Sequence, residues 1–299
     1  MMQSHHNEFF ESMVKYNFHT HSNFSDGSNN AEDYIIEAIN QKFEGIGMSE
    51  HSVLPFENTF ALQKENQEHY IHVLDKLIDE YCERIAIYRA LEADYIPGVT
   101  ESFLTLKKDF KLDYIIGSVH LVLDSADNRP FSPDRLWFID GPKRESYDHG
   151  MNILYGGDAR KAVTSYWHQI NRMIEEESFD VIGHLDKIKM HNQERWFKEG
   201  APWYKALWHE TIKLIAEKNL LVEVNTRGIY KKRSNSFFPG PEILKELNKL
   251  GVGIVISSDA HAPNEISLLF EEALVTLKEC GYSSNWIYNS SGWVERPFT

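Results

Sequence analysis

The chain has 299 residues, a formal net charge of −14 and 42% hydrophobic residues, an ordinary composition for a soluble globular protein. So acidic a chain lacks the basic footprint that nucleic-acid binding needs, and no apolar run reaches the ~18 residues of a membrane span. Cys82 and Cys280 are the two cysteines, too few for a disulfide framework. Met1–Lys15 lacks the basic-then-apolar order of a signal peptide, so a cytoplasmic protein with a short extension over residues 1–15 is expected.

In chain order, short apolar runs alternate with amphipathic segments. Tyr16-Asn17-Phe18 reads as a strand ending at His19-Thr20-His21, and the Ser25-Asp26-Gly27 turn that follows can bring Asp26 back toward it. A helix is expected over 31–43, with Tyr34, Ile35, Ala38 and Ile39 on one face. Gly45–Met48 runs into Glu50-His51. A helix over 65–84 leads to a strand over 85–91 that stops at Glu92 and Asp94. The strand over 114–119 ends at His120. Residues 124–157, with prolines, glycines and aromatics, read as a loop excursion near the site. A helix over 159–177 precedes Val181-Ile182-Gly183, which runs into His184 and Asp186. The stretch 191–209 carries Trp196, Phe197, Trp203, Tyr204 and Trp208; it is either a binding loop or aromatic packing on outer helices. A helix over 204–218, a strand at Leu221-Val222 reaching Glu223 and Asn225, and a helix over 241–250 with Pro241 in its first turn come next. Ile254–Ile256 then runs through Ser257-Ser258 into Asp259 and His261. A helix over 264–280 stops at Gly281, and Ser283–Thr299, with Trp286 and Trp293, is expected to cover the barrel bottom or meet another subunit.

Strands alternating with helices imply parallel βαβ units. Seven such strands suggest one closed or nearly closed barrel, in which the carboxyl ends converge on a single mouth; an open sheet would spread the same residues along a line. The strand ends carry His, Asp and Glu. Two histidines two apart on a strand face the same way, so His19 and His21 can reach one metal. A lone histidine is more often structural, but six histidines and three carboxylates at strand ends make that reading untenable for the set. Imidazole and carboxylate donors suit Zn, Fe or Mn. There is no G-x-G-x-x-G or Walker sequence to cradle a nucleotide.

These motifs carry a resemblance. His19-Thr20-His21…Ser25-Asp26-Gly27 and Ser258-Asp259-Ala260-His261 are similar to the first and last motifs of the polymerase-and-histidinol-phosphatase (PHP) superfamily. Gly117-Ser118-Val119-His120, Asp180–Asp186 and Glu223–Gly228 resemble its histidinol-phosphate phosphatase branch. The resemblance implies a distorted (β/α)7 TIM-like barrel as a single domain over 16–299, with two or three divalent metals. Carried over, His19, His21, Glu92 and Asp259 would hold the first; Glu92, His120 and His184 the second; Asp26, His51 and His261 the third. Some relatives have His where Asp26 stands, which bears on the third site.

The activity so implied is hydrolysis of L-histidinol phosphate, a small-molecule phosphate ester, by a metal-bound hydroxide attacking phosphorus. Metals about 3.5–4 Å apart can clamp phosphoryl oxygens and lower the pKa of bound water to about 7, and their charge would turn an acidic mouth positive. Glu92, Asp259 and His261 are expected to carry catalysis, with Asp259 or a metal-bound water protonating the leaving alkoxide. Arg227 and Arg160 are the candidate phosphate clamps, and Lys187 a weaker one. Asp94 and Asp186 are expected to orient imidazoles, and Glu50 to do so or to bind the substrate ammonium. The other histidines read as surface or packing residues, His191 and His209 being the nearest exceptions. Phosphatase action on another small ester, a phosphodiesterase and a non-catalytic metal-binding domain are the competing readings.

Overall fold

Residues 16–124 and 129–298 are described in the computed structural model; the extension expected over 1–15 lies outside them. Seven parallel strands form one sheet: β1 (Tyr16–Asn17), β2 (Gly45–His51), β3 (Ala86–Asp94), β4 (Tyr114–Ser118), β7 (Val181–Ile182), β8 (Leu221–Asn225) and β9 (Ile254–Ser257), in that order across the sheet. β5 (Leu121–Leu123) and β6 (Leu136–Phe138) pair as a separate antiparallel hairpin. Beyond the sheet's last strand, Ala260 bridges back to Thr20 in parallel. His21 N–H donates to the Ala260 carbonyl at 2.8 Å, and Ala260 N–H to that of His19 at 3.2 Å. The sheet is therefore a nearly closed barrel.

The strands are buried along both faces; every residue of β2 is buried, as expected when helices cover a parallel sheet. Side chains alternate in direction with period two. Along β3 the inward positions climb from Ala90 through Glu92 to Asp94, and along β8 from Leu221 through Glu223 to Asn225. The barrel is thus apolar low down and polar at its carboxyl rim. Phe18, Ala90, Tyr114, Ile116, Val181, Leu221 and Val255 form the lower layer. Tyr114 fits because residue 47 is glycine: a Cβ there would fall 1.7 Å from the tyrosine oxygen, whose hydroxyl donates to the Phe18 carbonyl at 2.6 Å.

A final antiparallel hairpin, β10 (Ser284–Asn289) with β11 (Gly292–Pro297), closes the lower end. Ile287 joins the lower layer, with Trp286, Tyr288, Trp293 and Val294 packed against it. Trp293 meets Phe18 and Tyr114 edge-on, with centroids 5.1 and 5.3 Å away. Of the two roles expected for this segment, it takes that of barrel floor.

The helices lie outside. α1 (Ala31–Asn40) starts where Asn30 Oδ1 accepts the Asp33 N–H at 3.1 Å, a side-chain N-cap. It ends before its expected boundary at 43, because Lys42 turns left-handed at φ 62°. α2 (Gln67–Tyr81) and α3 (Phe103–Asp109) follow. The excursion expected at 124–157 is more ordered than a loop: it holds β6 and α4 (Arg144–Tyr155). α5 (Ala159–Glu176) buries Val163, Tyr166, Trp167, Ile170, Met173 and Ile174. Each such side chain contributes about 1.5–3 kcal/mol when fully buried. The aromatic stretch 191–209 is explained by packing. Tyr204 and Trp208 are buried on α6 (Pro202–Glu217), with Tyr204 6.1 Å from Trp167 of α5. α7 (Arg227–Tyr230), α8 (Pro241–Lys249) and α9 (Phe270–Glu279) complete the layer.

Candidate metal centre

Glu92, at the rim of β3, is the hub of the mouth. Its two oxygens lie within 3.4 Å of five imidazoles: His19 Nε2 (3.1 Å), His21 Nε2 (3.4 Å), His51 Nδ1 (3.2 Å), His120 Nε2 (3.2 Å) and His184 Nε2 (2.7 Å). Against burial, which opposes its charge, His19, His120 and His51 hold its pKa well below the usual carboxylate range. Asp259 Oδ1 lies 3.5 Å from His21 Nε2 and 3.4 Å from His261 Nδ1. His261 Nε2 lies 3.1 Å from Asp26 Oδ1, and His51 Nε2 lies 3.7 Å from the same atom. All nine expected ligand residues therefore meet at one mouth.

Local chain geometry brings them there. Gly27 lets the first turn fold onto its strand end, since a Cβ would sit 1.9 Å from the His21 carbonyl oxygen. At Gly183 a Cβ would fall 2.3 Å from Ser118 Oγ. Next to it His184 is held at φ 24°, and Asp259 at φ 52°. Non-glycine residues in such conformations persist where the surroundings over-determine them, often at functional sites.

The donor atoms fit cations. His19 Nε2, His21 Nε2 and His51 Nδ1 are buried without hydrogen-bond partners, although Glu92 is close to them. Buried polar atoms are normally paired. Here they converge on interior points instead, which suits an ion bound between them. Three groups each have donor atoms mutually within 4.8 Å: His19, His21 and Asp259; His51, Glu92 and His120; and His21, Asp26, His51 and His261. His21 and His51 each reach two of the clusters, a sharing that the expected ligand sets lacked, and His184 falls in none of the three.

Glu223, a strand-end residue with no role assigned from the sequence, supports the ring. Glu223 Oε1 accepts from His19 Nδ1 at 2.5 Å, and its Oε2 from the His184 N–H at 2.8 Å and Asn225 Nδ2 at 3.1 Å. Burial lowers the pKa of His19, but Glu223, Glu92 and Asp259 outweigh it and raise that pKa well above the usual value. His21 has no such partner, and burial followed by the His261 charge pulls its pKa down to about 4. Asp94 Oδ1 lies 2.8 Å from His120 Nδ1, the orienting contact expected of it. Asp186 makes no such contact: it accepts from Lys189 Nζ at 2.6 Å and from the Gly240 N–H at 3.0 Å. Glu50 meets neither an imidazole nor the cavity. It accepts from the Ser22 N–H and hydroxyl at 2.9 and 2.5 Å and from the Ser25 hydroxyl, tying down the turn that carries Asp26.

The donors open onto a cavity of about 370 Å³. Its wall includes Lys187, Arg227, Arg233 and Asp140, with Phe60, Phe138, Met190 and Phe238 on the apolar side. Arg227 lies where the sequence suggested. Arg160 does not: it is exposed on α5, with its guanidinium 5.7 Å from the Trp203 ring. Lys187 is more central than expected, 3.0 Å from Asp140 and 3.6 Å from Asp259. His191 supports the rim, its Nε2 2.8 Å from the Gly141 carbonyl, and His209 stacks on Trp208 at 3.9 Å.

Residues 17–227 match the PHP domain, and the chain belongs to that family; fold, family and donor set together make it a metal-dependent phosphoesterase. The histidinol-phosphatase of Bacillus subtilis is 25% identical over 284 residues, 88% of this chain and 99% of that protein. The crystal structure of the Lactococcus lactis histidinol phosphate phosphatase, complexed with zinc, L-histidinol and phosphate, superposes with a TM-score of 0.67 at 20% identity. It covers 95% of this chain and 100% of that one. The hisK protein of Listeria monocytogenes superposes with a TM-score of 0.73 at 18% identity, covering 86% and 99%. No helix among the described residues is long and apolar enough to cross a membrane.

Proposed function

We propose that this protein hydrolyses L-histidinol phosphate to L-histidinol and phosphate. The observation that carries the reading is the Glu92 hub, with its five surrounding imidazoles, opening onto a cavity lined by cations and aromatic rings. The L-histidinol and phosphate bound in the Lactococcus lactis structure support the choice of ester.

Two or three divalent ions (Zn, Fe or Mn) would be held by His19, His21, Glu92 and Asp259, by Glu92, His120 and His184, and by Asp26, His51 and His261. Such ions, when bound, neutralise phosphoryl charge and acidify water. The protein's own groups do the rest. Lys187, Arg227 and Arg233 add positive charge to the wall. Against burial, Lys187, His19 and Arg227 hold the Asp259 carboxyl well below its ordinary pKa, which keeps it charged and able to hold a cation but makes it a poor donor or acceptor of protons. Asp140 and the aromatic wall face the remainder of the ester, where an ammonium and a flat ring find a carboxylate and apolar surface.

The test is phosphate release from L-histidinol phosphate beside a panel of small phosphate esters, with metal-replete and chelated protein. Strong preference for histidinol phosphate, abolished by chelation, is expected. Faster turnover of another ester would reassign the substrate, and metal-bound protein inert toward every ester would overturn the enzymatic reading.

A further inference from the structure

Of the cations lining the cavity, Lys187 and Arg227 are already engaged. Lys187 Nζ lies between Asp140 and Asp259, at 3.0 and 3.6 Å. Arg227 Nη1 donates to the Asp259 carbonyl at 2.8 Å and lies 3.5 Å from Glu265. The guanidinium of Arg233 has no hydrogen-bond or ion-pair partner among the described residues, yet it is half-buried.

The backbone gives that side chain a firm base. Arg233 and Ser234 N–H groups both donate to the Gly228 carbonyl, at 2.8 and 2.9 Å. Gly228 itself must be glycine-sized, because a Cβ would fall 2.5 Å from the Phe238 ring. The loop thus holds a partly desolvated charge at the cavity wall with no counter-ion in contact, Asp140 and Asp259 attracting it only from farther off. Burial first, and then the neighbouring Arg227 charge, pull its pKa down. Such an arrangement is unfavourable until an anion arrives, and a free guanidinium fork matches two phosphoryl oxygens.

We propose that Arg233 grips the phosphoryl group of the substrate, while Arg227 acts as a positioning residue that steadies Asp259 through its backbone. The inference rests on the phosphoesterase reading and not on the choice of histidinol phosphate.

Its test is binding of inorganic phosphate to the zinc-replete full-length protein by calorimetry, with melting temperatures recorded with and without phosphate. Arg233→Met should weaken phosphate binding about 10- to 100-fold, the loss expected for hydrogen bonds to a charged group. It should melt no lower than wild type without phosphate, because an unpaired charge has been removed, and should lose the phosphate-induced rise. Arg233→Lys keeps the charge without the fork and should fall between. Arg227→Met should instead melt lower without phosphate. Wild-type phosphate affinity in Arg233→Met would overturn the proposal, as would a lowered melting temperature that leaves the phosphate-induced rise intact. Wild-type protein that binds phosphate but ignores histidinol phosphate would retire the ester and leave Arg233 standing; failure to bind phosphate at all would remove both.

Discussion

Replacing Glu223 by glutamine tests whether the metal centre depends on a carboxylate that never enters the cavity. Both oxygens act as acceptors: Oε1 for His19 Nδ1 and Oε2 for the His184 N–H and Asn225 Nδ2. Glutamine is nearly isosteric but has one oxygen and one NH2. If its oxygen serves the His184 side, its NH2 faces His19 Nδ1, and His19 must move its proton to Nε2. That nitrogen then points an N–H at Glu92 instead of a lone pair into the donor cluster. If the oxygen serves His19, the NH2 meets the His184 N–H, donor against donor, at a residue already held at φ 24°. One side must fail in either orientation. The penalty for a broken hydrogen bond to a charged group is about 1.5–3 kcal/mol, and loss of such an outer partner typically costs about 10- to 100-fold in metal affinity. We expect Glu223→Gln to fold, to melt lower and to release zinc to a competing chromogenic chelator at about 10- to 100-fold lower chelator strength. Wild-type zinc retention in the folded variant would refute the reasoning, because His19 would then not need its Nδ1 partner.

Glu92→Ala should leave a folded barrel with at least about a thousandfold less phosphatase turnover, a shared metal clamp and its preorganised field being among the larger contributions to catalysis; near-normal rates would show that the hub is dispensable. Gly47→Ala drives a methyl into the Tyr114 hydroxyl and should destabilise by about 1–3 kcal/mol or more through overpacking, read from urea denaturation; an unchanged midpoint would mean that Tyr114 has room to move. Stripping metal should lower thermal stability, since an ion that binds only the folded state at 100 times its Kd contributes about 2.7 kcal/mol. Calorimetry of chelated and reconstituted protein checks this, and identical melting curves would argue against ions at the converging donors.

What the sequence reveals and what it hides divide along physical lines. Strand ends in a parallel barrel must converge, so a His, Asp or Glu at each of them announces a common mouth before any coordinates exist. The shared mouth was legible for that reason, whereas Asp26 lies in a turn and the assignment of the nine residues to metals came from the resemblance to the family. Glu223 also ends a strand and carried the same signal, but it faces the backs of two imidazoles, and spacing cannot separate such a residue from a ligand. Arg160 went astray because an arginine beside a glycine turn resembles a phosphate clamp, whereas its guanidinium lies by Trp203 on an outer helix. Asp140 and Arg233 reach the cavity from irregular segments, where no periodicity points a side chain inward. Asp186 sits two residues from His184 on what looks like a continuing strand, but the chain has already turned away toward Lys189.

The barrel's seam has a consequence for how activity and integrity are linked. Among the described residues β1 pairs with β2 at two positions, against seven between β2 and β3. Thr20 and Ala260, which join the two ends of the sheet, lie between His19 and His21 on one side and between Asp259 and His261 on the other. The thinnest stitch in the wall is therefore sewn through the donors themselves. Any opening of that stitch pulls the earliest and latest motifs of the chain apart, so the enzyme cannot loosen its wall there and keep its chemistry. An ion held by His19, His21 and Asp259 would work as a rivet across both motifs.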